Sequence, residues 1–166
     1  VVRDMEAAWA QLRKYHVRQL SPRPQTIPVS NAAAAGIKAI KFRDPDGHNL
    51  ELLWFPDGKG HPRWQRSGTD LFMGIDHTAM TVRSTENSTK FYRDLLGMTV
   101  SGGTLNMGAT QQYLDSLPGA RTRVTGLAPI RIRPISGIGR RRSWCPIWRQ
   151  PHQHCETRRS LCHPAW

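Results

Sequence analysis

At 166 residues with 38% hydrophobic content, the chain can form one compact domain or two small modules sharing a core, and no apolar run approaches the ~20 residues of a bilayer-spanning helix. Its opening, Val1-Val2-Arg3-Asp4-Met5, has no apolar h-region of a secretory signal; a cytoplasmic protein is expected, and the missing initiator Met points to a fragment. The net charge of +12 is uneven: residues 1–127 hold sixteen Lys and Arg against eleven Asp and Glu, whereas residues 128–166 hold eight Arg against Glu156 alone, so the basicity is mainly a tail property.

Asp4 is placed to cap a helix whose apolar positions Met5, Ala8, Trp9 and Leu12 follow helical spacing and which ends before Pro22 and Pro24. Residues 23–36, rich in Pro and Ala, read as a loop with a short strand near 25–29. Residues 37–42 then read as a strand, Asp44-Pro45-Asp46-Gly47 as a turn and residues 49–55 as the returning strand. Alternation places Glu51 on one face with Asn49 and Leu53, and Leu50, Leu52 and Trp54 on the other. An acid among leucines is costly to bury unless a cation or donor meets it.

Residues 56–72 are rich in turn formers, lack a period of either kind and read as a linker. Residues 75–82 predict the next strand, with His77 on a face shared by Ile75, Ala79 and Thr81. Ser84 predicts the cap of a helix over 85–96 that buries Phe91, Leu95 and Leu96, and Gly97 its left-handed end. Residues 98–101 and 121–127 predict further strands separated by a polar loop. Asn87-Ser88-Thr89 matches a glycosylation acceptor, but in a helix of a cytoplasmic protein it is incidental. There is no Gly-rich phosphate loop and no Ser/His/Asp or Cys/His nucleophile set.

Phe42-Arg43-Asp44-Pro45-Asp46-Gly47-His48 with Leu50-Glu51-Leu52, followed by Gly74-Ile75-Asp76-His77-Thr78-Ala79 and Phe91-Tyr92-Arg93-Asp94-Leu95-Leu96-Gly97-Met98, resembles the vicinal oxygen chelate superfamily. That group contains glyoxalase I, extradiol dioxygenases and bleomycin-resistance proteins, and the likeness spans roughly residues 4–127. It implies an α+β fold of paired βαβββ modules, both incomplete here. Residues 1–55 would end a first module, 56–72 link, 73–127 begin a second, and 128–166 form an irregular basic tail.

The resemblance also implies a divalent metal, Fe, Zn, Mn, Ni or Co, that grips vicinal oxygens of a small substrate in a lyase, isomerase or dioxygenase. Family ligands come from the first and last strands of each module, which assigns His77 and Glu51 as metal ligands and Glu51 as the catalytic carboxylate. The other two ligand positions would lie upstream of Val1 and on a last strand of the second module. His48 reads as a turn-stabilising residue. A metal-free ligand binder of the bleomycin-resistance type is the alternative, and module pairing allows a homo-oligomer.

In the tail, Cys145, His152, His154, Cys155, Cys162 and His163 offer nitrogen and sulfur but match no common zinc spacing. Arg140-Arg141-Arg142 beside Trp144 and Trp148 gives a second alternative, nucleic-acid binding, without a fold signature to support it. The abrupt switch to Arg, Pro, Trp, Cys and His suggests an out-of-frame translation.

Overall fold

The computed structural model describes residues 1–129, and the tail expectations, zinc ligands and Arg–Trp cluster included, lie outside them. Helix α1 (Met5–Lys14) begins where Asp4 Oδ1 accepts the Ala7 N–H, 2.9 Å away, and satisfies one of the free amides of the first turn. Met5, Ala8 and Leu12 face inward as their spacing predicts. They pack with Val2, Ile40 and Leu52 into the main core, flanked by Trp9, Phe42, Trp54 and Leu71.

Three antiparallel strands carry that core's other half: β1 (Gln25–Thr26), β2 (Lys38–Arg43) and β3 (Asn49–Trp54), in the order β1-β2-β3. The turn between β2 and β3 forms at the expected residues, with the Gly47 N–H donating to Asp44 O and Gly47 at φ 90°, a conformation that favours glycine. It fixes the register Lys41↔Glu51 and Ile40↔Leu52. Leu52 therefore turns toward α1, and Glu51 stands on the opposite, exposed face.

Residues 1–3 extend beside this sheet. Val2 N–H donates to Leu53 O on one side, while Arg3 N–H reaches Leu71 O and Met73 N–H reaches Val1 O on the other. The expected strand over 75–82 does not form among the described residues. One isolated antiparallel bridge sets Val2 opposite Phe72, and no strand pairs with residues 75–82 among the described residues. The expected linker contains a 3-10 turn, Pro62–Gln65.

Ser84 caps α2 (Thr85–Lys90) through its hydroxyl and the Asn87 N–H, and a π turn continues it over Phe91–Leu95. Gly97 takes the expected left-handed angle, φ 67°. Phe91, Leu95 and Leu96 correct the expectation of burial: they are 50%, 70% and 52% exposed, because no described element packs over that face. Strand β4 (Thr99–Asn106) runs longer than expected and pairs antiparallel with β5 (Thr122–Ala128), with a register shift between Val100 and Gly102. The loop between them holds an unexpected helix, α3 (Ala109–Asp115). The architecture is α+β, as expected, and no helix of the described residues is long and apolar enough to cross a membrane.

Candidate metal centre

Glu51 belongs to a group of four charged or titratable side chains drawn from β2, β3, α3 and the extended segment that carries His77. Lys41 lies directly across the ladder from it, and the Lys41 Nζ meets Asp115 Oδ1 at 2.6 Å. Asp115 Oδ2 accepts a hydrogen bond from Gln111 Nε2, also 2.6 Å, so both of its oxygens are engaged. Desolvation raises the Glu51 carboxyl above the ordinary range; the charges of Lys41 and His77 pull it down, and that of Asp115 pushes it up. Water still reaches Glu51. The two facts describe a carboxylate crowded by protein on an open face, not one sealed in an interior.

His77 is held by its neighbour. Its Nδ1 lies 2.9 Å from Asp76 Oδ2, and the imidazole is 56% exposed. Asp76 Oδ1 accepts the indole N–H of Trp64. Desolvation would raise the Asp76 carboxyl, but the hydrogen bonds from His77 and Trp64, with the charges of His77 and Arg63, outweigh it and hold the group low.

His48 sits where the turn reading places it: its N–H donates to Asp44 Oδ1 at 2.8 Å and its Nδ1 meets Asp44 Oδ2 at 3.0 Å. Asp44, Asp46 and His48 could offer ligand atoms within 4.8 Å of one another. The Asp44 oxygens are already engaged within the turn.

Residues 74–128 match the family model of the Glyoxalase/Bleomycin resistance protein/Dioxygenase superfamily. The likeness covers about a third of the chain. The matched span takes in His77, α2, β4, α3 and β5, and Glu51 lies ahead of it. No curated protein and no solved structure matches the chain.

Of the metal ligands read from the sequence, Glu51 stands on β3 opposite Lys41 and His77 lies against Asp76 ahead of α2, while His48 sits in its turn. Sequence reasoning missed Lys41, Asp115, Asp76 and Trp64. Lys41 was within reach, because the turn at 44–47 dictates its register against Glu51. Trp64 had only one signal, an indole in an otherwise polar stretch.

A cleft of about 350 Å³ lies elsewhere, between the 27–33 loop and the β4–α3 corner. Its walls include Asn31, Thr104, Asn106, Thr110 and Gln111, and neither Glu51 nor His77.

Proposed function

We propose that the chain is part of a metal-dependent protein of the vicinal oxygen chelate type, in which Glu51 and His77 serve as ligands to one divalent ion and a small oxygenated molecule is bound beside them. The observation that carries this reading is the match of residues 74–128, His77 among them, to the superfamily model. The donor set fits such an ion. Glu51 is a desolvated carboxylate that gains from a nearby cation, and His77 has Nδ1 engaged with Asp76, which leaves Nε2 as the free ligand atom.

A divalent ion held there would supply Lewis-acid stabilisation of negative charge on neighbouring substrate oxygens. The chain's own contribution is separate. Glu51 would be the catalytic carboxylate of a lyase or isomerase, moving a proton to or from the substrate. Lys41, across the ladder, pulls against the desolvation that raises its carboxyl. The paired-module reading is supported by the order α1, β1, β2, β3, which matches the helix and three strands that end a βαβββ module.

Purified chain titrated with Zn, Mn, Ni, Co or Fe(II) tests the assignment by calorimetry and metal analysis. Binding of one ion per chain is expected, and Glu51→Gln and His77→Ala should each weaken it by at least about 10-fold. Asp44→Asn should leave it intact. Affinity that followed Asp44 and ignored Glu51 and His77 would move the centre to the turn.

The cleft favours a second reading, a metal-free ligand binder of the bleomycin-resistance type. Its walls mix hydroxyl and amide groups with Ile27, Leu105, Met107 and Leu114, which suits an uncharged molecule with polar and apolar parts. Ligand binding that persists in chelator and fails when Asn106 is replaced would support it.

A further inference from the structure

Asp76 makes two side-chain contacts at once. Its Oδ2 receives the Nδ1 side of His77 and its Oδ1 receives the Trp64 indole N–H. Trp64 is itself fixed: the Arg63 guanidinium stacks on its ring at 4.0 Å, and Arg63 Nη2 donates to Ile75 O at 2.9 Å. Gly74, at φ 138°, lets the backbone pass over the indole, where a Cβ would lie 3.4 Å from the ring. The 3-10 turn Pro62–Gln65 is thus a brace against the chain at 74–77. A histidine whose Nδ1–H is donated to a carboxylate presents its Nε2 lone pair outward in one tautomer and one ring orientation.

We propose that Asp76, clamped by Trp64, is the positioning residue of His77: it fixes the Nδ1–H tautomer and so leaves Nε2 as the atom offered to a divalent cation. This rests on the reading of His77 as a ligand. Asp76 touches neither substrate nor metal, and its effect passes through the imidazole. The segment 56–72 thereby becomes part of the site.

Long-range proton–nitrogen correlation spectra of the metal-free, full chain report the His77 tautomer, and Ni(II) titration of the same samples reports affinity. Wild type is expected to show His77 protonated on Nδ1. Asp76→Asn, which leaves one of the two N–H donors facing an amide nitrogen, should show mixed tautomers and bind Ni(II) about 10- to 100-fold more weakly with an unchanged far-UV spectrum. Trp64→Phe should shift the tautomer balance in the same direction by a smaller amount. A wild-type His77 protonated on Nε2, or an Asp76→Asn chain that binds Ni(II) as tightly as wild type, would overturn the proposal. Wild type that binds no Ni(II) at all would instead overturn the ligand reading of His77, and the proposal with it.

Discussion

Asp44 and Glu51, seven positions apart in one hairpin, differ in character because one has its hydrogen-bond donors and the other does not. Desolvation would raise the Asp44 carboxyl, but the His48 N–H, the His48 ring and its charge outweigh that and bring it below its ordinary value of 3.8. An acid held lower in the folded chain than in the unfolded one stabilises the fold above the unfolded value, and that contribution is lost as pH falls through the folded value. The turn at 44–48 is therefore expected to stay closed through mild acid and to loosen only below the usual carboxylate range. In Asp44→Asn this acid transition should vanish. Amide signals of Gly47 and His48 followed from about pH 5 to pH 2 measure it, and identical titrations in wild type and variant would contradict the assignment. Glu51 has no such donor among the described hydrogen bonds, and its shift is upward.

At the scale of elements, α1 is held by a small apolar patch centred on Ile40, which is fully buried between the helix and Leu52. Ile40→Ala removes methyl groups that the helix cannot follow inward, and it should cost about 2–5 kcal/mol in urea unfolding. Leu50→Ala, on a side chain that is 44% exposed in the same hairpin, should cost under about 1 kcal/mol. This part of the fold was legible in the sequence because Met5, Ala8 and Leu12 repeat at helical spacing and Asp44-Pro45-Asp46-Gly47 can hardly do anything but turn. Residues 75–82 were not legible as unpaired, since alternation reports an extended chain and says nothing of its partner. Helix α3 escaped notice for two reasons: Gly108 brings no capping oxygen, and one of its two buried residues is the polar Gln111. Glu51 and His77 stood out as an acid and an imidazole in apolar strands. Asp76 and Trp64 acquire their roles only when the 62–65 turn folds back on 74–77.

On the scale of the whole described molecule, α3 is tied to the first sheet by polar contacts rather than by a broad apolar face. The Ser116 hydroxyl donates to Leu20 O, which gives that residue a reason to hold its left-handed angle of φ 48°. Lys41 of β2 grips Asp115, and next to that contact Asn31 Nδ2, from the loop after β1, donates to Asn106 Oδ1 at the end of β4, 3.0 Å away. The fully buried Ser21 hydroxyl does two things at once: it donates to Leu114 O and accepts the Lys41 N–H, each at 2.8 Å. Ser21→Ala would leave a buried carbonyl and a buried amide without that partner, a loss of about 1–3 kcal/mol. Because the hydroxyl bridges β2 and α3, the damage should appear where they meet and not in α1. Hydrogen exchange of the full chain is expected to speed up over residues 109–117 and at Lys41 while the α1 amides keep their wild-type protection. Uniformly faster exchange in Ser21→Ala would mean that the bridge supports the whole core, and unchanged exchange would mean that Lys41–Asp115 and Ser116–Leu20 hold α3 without it.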